Sequence, residues 1–300
     1  MSRPLPLAAA LAAALITSSC LSACAGDKAA DDDAVNDDSG GAGDDTNDSE
    51  EPVVLKGDGF GLYATTGKMT AWHNIDYVID TTADVSQTVG DAAAFTALAD
   101  FDGDGLEDLW QIPAESASIT VYMANGAGWT DPPDFEIVTD LSKTLSWFTG
   151  DFNGDSLDDV GQINTNNGRL LVYPNAVGYF DPDAKVPSDA PFDLRAQLFT
   201  GDLDGDGADE LGTVLDGVIS VWDMDDGALV EPALIEVTAP GSVLAAVALD
   251  LDDDGYAELG IWTGSTLTLY PNQAGAGFDL SAPTSILFGQ SGTPFAGGFN

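Results

Sequence analysis

Four stretches of the chain place acidic side chains at the same alternating positions. Counted from the first aspartate of each, positions 1, 3 and 5 are Asp100, Asp102 and Asp104, then Asp151, Asn153 and Asp155. They are Asp202, Asp204 and Asp206 in the third copy and Asp250, Asp252 and Asp254 in the fourth. Position 9 is Asp108, Asp159, Glu210 or Glu258. Oxygen ligands at alternating positions converge on one point when the chain curls round a cation. Calcium accepts roughly six to eight such oxygens in irregular geometry, whereas magnesium holds its waters and seldom uses dedicated protein cages. The pattern therefore predicts about four calcium sites. Position 7, which is Leu106, Leu157, Ala208 or Tyr256, is expected to add a backbone carbonyl. Position 6 is Gly105, Gly207 or Gly255, which permits a sharp turn. Ser156 replaces that glycine in the second loop, and Asn153 removes a charge, so the second site should be the weakest.

These loops are not EF-hands, which need a bidentate glutamate at position 12. Position 12 here is Gln111, Gln162, Thr213 or Ile261, and the flanks alternate like strands. The loops recur at spacings of 51, 51 and 48 residues. Downstream of each lies an alternating β-branched and aromatic segment, at 119–122, 170–173, 219–222 and 267–270, with a fifth copy at 69–72. A weaker apolar stretch follows after a Gly- or Asn-rich turn. Each unit reads strand, acidic loop, strand, turn, strand, turn, weak strand. The expected class is all-β: a β-propeller of about 50-residue, four-stranded blades. One blade cannot bury both its faces, so blades must stack round a ring.

The ends of the repeat extend this reading. Residues 294–300 match the strand that enters the second loop, 147–153, while 56–63 look like a strand leaving a loop. Joining them makes five blades, one of them composite. The alternative is a fragment of a larger propeller, for example a seven-bladed one.

An acid at position 9 between two strands resembles the FG-GAP and VCBS repeat family, which includes the propeller of integrin α-subunits and many bacterial surface proteins. The resemblance covers about residues 53–300. It implies that the residues at positions 1, 3, 5 and 9 are calcium ligands. The Phe-Gly and Gly-Ala-Pro signatures of that family are degraded here, with Thr149-Gly150 and Thr200-Gly201 in the corresponding strands.

The chain carries 51 acidic and 8 basic residues, a formal net charge of -43. Such a surface repels nucleic acid and anionic lipid, and it favours bound cations. Residues 1–23 read as a signal peptide: Arg3, then an apolar run from Leu5 to Ile16 too short to span a bilayer. Leu21-Ser22-Ala23-Cys24 resembles the bacterial lipobox, with Cys24 the lipidated residue. Both cysteines, Cys20 and Cys24, lie here, so no disulfide is expected in the folded part. Residues 24–52 are rich in Asp, Gly, Ser and Asn, as a disordered tether would be.

No catalytic residue is assigned. His73 is the lone histidine, and neither a phosphate-binding glycine loop nor a Gly-x-Ser-x-Gly elbow is present. The aromatic residues at recurring strand positions are expected to pack between blades, with some available to stack on sugar rings. The expected protein is a monomeric, lipid-anchored binder at the bacterial cell envelope, held to the membrane by its lipid alone. Its partner would be a glycan or a cell-surface protein, in the manner of an adhesin. A propeller enzyme acting on polysaccharide and a purely structural envelope protein are the alternatives.

Overall fold

The computed structural model describes residues 59–297, apart from residues 65, 76–77, 80, 90–92, 114–117, 126–127, 131, 139–144, 177–179 and 181–182. The expected signal peptide, Cys24 and all of the expected tether lie outside the described residues. Five four-stranded antiparallel sheets form a five-bladed β-propeller, with no helix among the described residues. From the axis outward, blade one is Ala93–Ala99, Asp108–Pro113, Ser118–Tyr122 and Phe135–Val138. Blade two is Leu145–Gly150, Asp159–Asn164, Arg169–Tyr173 and Val186–Asp189. Blade three is Gln197–Gly201, Glu210–Leu215, Val218–Trp222 and Ile235–Thr238. Blade four is Ala245–Leu249, Glu258–Trp262, Thr266–Tyr270 and Thr284–Leu287. The innermost strands contact one another in a closed ring.

The fifth blade is the expected composite. Its innermost strand, Thr293–Gly297, pairs antiparallel with Gly59–Tyr63, which continues to Lys68–Trp72 and Val85–Thr88. Closure leaves no innermost strand with an unpaired outer edge. The weak apolar stretches that follow each third strand are the outermost strands.

Burial follows position in the ring. Second strands are covered on both faces by neighbouring blades, so every residue of Gly59–Tyr63 and of Glu258–Trp262 is buried. That is why they read as apolar runs rather than as alternations. At the rim, Val85–Thr88 and Val186–Asp189 alternate between half-buried and exposed residues.

A cross-strand pairing next to the axis sets the blade thickness. Phe148 lies opposite Gly161, Phe199 opposite Gly212 and Phe295 opposite Gly61. Each ring lies over its glycine, so a Cβ on Gly161 would come within 2.0 Å of the Phe148 ring. Blade one reverses the sizes, with small Ala97 opposite buried Trp110. One large and one small residue fill the same space in either order.

Gly161→Ala should therefore destabilise by about 1–3 kcal/mol through overpacking, read as a lower urea midpoint. The double substitution Phe148→Ala, Gly161→Trp copies the blade-one pair and should recover part of that loss. A double mutant no better than the sum of its parts would show that the pairing does not set the spacing.

Candidate metal centre

Each acidic loop links the innermost strand of a blade to its second strand, so all four lie at one end of the ring. The position-1 carboxylate organises each loop from within. Asp100 accepts from the backbone N–H of Gly103 at 2.7 Å and of Gly105 at 2.8 Å. Asp151 accepts from Gly154 at 2.8 Å and Ser156 at 2.7 Å, and Asp202 from Gly205 at 2.6 Å and Gly207 at 3.0 Å. Asp250 accepts from Asp254 at 3.2 Å and Gly255 at 2.9 Å. This curl needs left-handed backbone at position 6, supplied by Gly105 (φ 83°), Gly207 (φ 90°) and Gly255 (φ 82°). Ser156 adopts it too, at φ 65°, where a side chain is disfavoured. Position 4 is also left-handed, at Gly103, Gly154, Gly205 and Asp253. Position 5 anchors position 7: the N–H groups of Leu106, Leu157, Ala208 and Tyr256 donate to Asp104, Asp155, Asp206 and Asp254 at 2.9–3.0 Å.

Three loops bring carboxylates together. Ligand oxygens of Asp100, Asp102 and Asp108 lie within 4.8 Å of one another. So do those of Asp202, Asp204 and Asp206, and those of Asp250, Asp252 and Asp254. Such clusters could hold a metal ion. Among the described residues the second loop forms no such carboxylate trio, and its Asn153 side chain donates to Asp159 at 3.3 Å. Asp104 is absent from the first trio, and Glu210 and Glu258 from the third and fourth.

The position-9 acids are the buried members, at most 9% exposed. Asp108 accepts from the N–H of Ala124 at 2.7 Å and Asp159 from that of Asn175 at 2.7 Å. Glu210 differs. Its Oε2 accepts from Leu203 at 2.7 Å and Asp204 at 3.1 Å, while its Oε1 is buried with no hydrogen-bond partner. Its blade turns into a small hairpin, Met224–Asp225 with Ala228–Leu229, where blades one and two present the Ala124 and Asn175 donors. An orphaned buried carboxylate oxygen is costly unless something satisfies it, and a cation in this loop would do so. Burial pushes Asp108 and Asp159 up to about 7, Glu210 to about 8 and Glu258 to about 7.

The loops also form the joints between blades, through residues that the ligand register passes over. The N–H of Asp158, at position 8 of the second loop, donates to the Asp100 carbonyl at 3.1 Å. Asp209 repeats this on Asp151 at 2.6 Å and Ala257 on Asp202 at 2.7 Å. In return, the N–H of Asp100 donates to the Asp158 carboxylate at 2.6 Å, and that of Asp151 to the Asp209 carboxylate at 3.1 Å. Part of Asp158 and of Asp209 is open to solvent, but each carboxyl is enclosed in its junction. Burial pushes both well above the usual carboxylate range. Asn175 bridges the carbonyls of Phe101 and Asp158 at 3.0 and 3.1 Å, and Asn272 those of Leu203 and Ala257 at 2.8 and 2.9 Å. At the junction between them, the N–H of Gly227 takes the Phe152 carbonyl at 2.9 Å instead. The shared Tyr-Pro-Asn at 173–175 and 270–272 is the sequence signal for this staple.

Most of the recurring tryptophans are packing residues. Trp72, Trp110, Trp129, Trp222 and Trp262 are buried packing residues, and Trp147 is partly exposed. His73 is half-buried, and its N–H donates to Asp84 at 2.9 Å.

The fold and loops define a five-bladed propeller with acidic clusters suited to a metal at its blade junctions. No protein-family model matches the chain, and no curated protein does. Among solved structures, it is similar to an Agrocybe aegerita lectin that recognises non-reducing terminal N-acetylglucosamine. The identity there is 15% and the TM-score 0.47, covering 82% of this chain and 72% of that one. It is also similar to the Photorhabdus luminescens Tc holotoxin pore, at 17% identity and TM-score 0.41, covering 76% of this chain and 12% of that one. A third likeness is to the Vibrio cholerae biofilm matrix protein Bap1, at 19% identity and TM-score 0.32, covering 77% and 34%. The chain thus spans a small part of the toxin and about a third of the matrix protein.

Two outcomes follow from the geometry. The four position-9 acids hold their protons to about pH 7–8 in the metal-free fold, but lose them near pH 4 when unfolded. Folding takes up protons between those limits, so their contribution is full below about pH 4 and is lost as pH rises through 7–8. Chelated protein should therefore melt lower at about pH 8 than at about pH 5, and added calcium should raise the melting temperature more at the higher pH. At the joint, Asp209→Ala removes the acceptor of the Asp151 N–H and should cost about 1–3 kcal/mol in urea unfolding. Asp209→Asn keeps an acceptor oxygen without the buried charge and should cost much less.

Proposed function

We propose that the chain is a lipid-anchored protein of the bacterial cell envelope whose FG-GAP/VCBS-like propeller, stabilised by calcium, binds a surface ligand. The ligand is a glycan or a surface protein. The observation that carries the metal reading is Glu210, whose buried Oε1 has no partner in the protein beside the clustered Asp202, Asp204 and Asp206. Calcium suits this all-oxygen donor set better than magnesium or zinc. Its role is structural, because the same loops carry the contacts between blades.

A binding rather than catalytic role is supported by how the carboxylates are used. Those at positions 1, 3, 5 and 9 sit in loop clusters or hold loop backbone, and Asp158 and Asp209 hold a neighbouring blade. The envelope assignment rests on the lipobox-like Leu21–Cys24 and the acidic segment after it.

Two measurements test this reading. Radiolabelled palmitate should be incorporated into the full-length protein in a bacterial host and lost in Cys24→Ser, which should leave the membrane fraction. Calcium-loaded protein should bind a discrete set of glycans or envelope proteins on an array. Retention of label in the variant would refute the anchor. An array without a single saturable partner would refute the binding role.

A further inference from the structure

Carboxylates crowd the loop-side mouth of the axial channel, a space of about 250 Å³ lined in part by Glu107, Asp158, Asp209 and Asp250. The rest of the channel is opposite in character. Its waist, about 430 Å³, and its far mouth, about 640 Å³, are lined by the innermost strands of all five blades. Among the described residues, none that lines the waist or the far mouth is charged, in a chain whose net charge is -43.

The far mouth holds a partly exposed aromatic pair, Phe95 and Trp147, beside Leu198 and Pro294. Trp147 is the one tryptophan of six that is not buried. Leu244, on the same rim, is 55% exposed. Polar but uncharged groups alternate with these: Ser146, Gln197, Ser291 and Thr293. Deeper in, Thr96 lines the waist and has a buried hydroxyl with no hydrogen-bond partner.

We infer that this mouth is the binding site for an uncharged saccharide. The inference rests on the ligand-binding reading above and gives that ligand a place and a class. The field of the acidic protein repels anions, and no carboxylate among the described residues lines the cavity to pair with a cation. An uncharged ligand remains. A lipid tail would be served by a wholly apolar lining. Here aromatic and aliphatic faces alternate with hydroxyl and carboxamide groups, which suits a ring with an apolar C–H face and a polar edge. The volumes fall within the range of small-ligand sites.

The test titrates full-length, calcium-loaded protein with neutral methyl glycosides and their oligosaccharides, followed by tryptophan fluorescence and calorimetry. A saturable change in emission is expected, with an affinity the same at low and high salt, because no charged side chain takes part. Trp147→Ala should weaken it about tenfold or more, with Trp147→Phe intermediate; because Trp147 also packs against the buried cluster of Phe101 and Trp110, the alanine variant should melt below the parent and the phenylalanine variant close to it. If Trp147→Ala does not fold, Leu244→Ala, which removes an exposed apolar contact from the rim, should weaken binding with the melt unchanged. Saturable binding of a neutral sugar with affinity unaffected by either rim variant would overturn the location and leave the binding function standing. Binding confined to charged glycans or fatty acids would overturn the class. Failure to bind any sugar here, with binding to envelope proteins on the array, would overturn this inference alone. Failure on both would overturn the binding function as well.

Discussion

The propeller depends on one small contact, repeated at three of its blade junctions. The first peptide of a loop is held by the next blade: the carbonyls of Asp100, Asp151 and Asp202 accept the N–H groups of Asp158, Asp209 and Ala257. The same aspartates, through their carboxylates, curl their own loops. One residue thus shapes the candidate metal loop and receives the neighbouring blade. A cation that firms the loop also firms the joint, and the self-repulsion of a highly acidic chain is relieved where blade meets blade. The buried position-9 acids give this weight, since ionised and without a cation they would be poorly supported.

The repeat itself was legible in the sequence. Period, strand order and loop register are properties that one blade shares with the next, so aligning the copies exposes them. The composite fifth blade was legible for the same reason, because 294–297 and 59–63 are halves of a recognisable unit. Contacts between copies are different. Asp158 touches Asp100 one repeat earlier, and stacking the repeats hides that pair by placing the two residues at different positions. The Phe148–Gly161 match was obscured in the same way, since blade one realises it as Ala97 with Trp110. Asn175 and Asn272 left a signal in their shared Tyr-Pro-Asn, but blade three replaces it with a hairpin, so no pattern ran through all the copies.

The loop chemistry was partly legible. The 1-3-5-9 spacing named the acids, and Asn153 and Ser156 set the second loop apart, which forms no carboxylate trio among the described residues. Which acids converge depends on side-chain reach and on local donors. Asp108 joins the first cluster, while the longer Glu210 and Glu258 bind backbone of their own loops. The orphaned Glu210 Oε1 lies in the blade where the hairpin of Met224–Asp225 with Ala228–Leu229 follows Trp222.

The propeller is therefore polarised along its axis, with acidic joints at one end and an uncharged aromatic mouth at the other. The acidic loops and the blade joints are one device, built on the same aspartates. Amide hydrogen exchange at Asp158, Asp209 and Ala257, with calcium and after chelation, tests this most directly. Those three amides belong to the joints, whereas Gly105, Gly207 and Gly255 report on the curl of the loops. Chelation should speed exchange in both sets together. Loops that loosen while the three joint amides stay protected would contradict it.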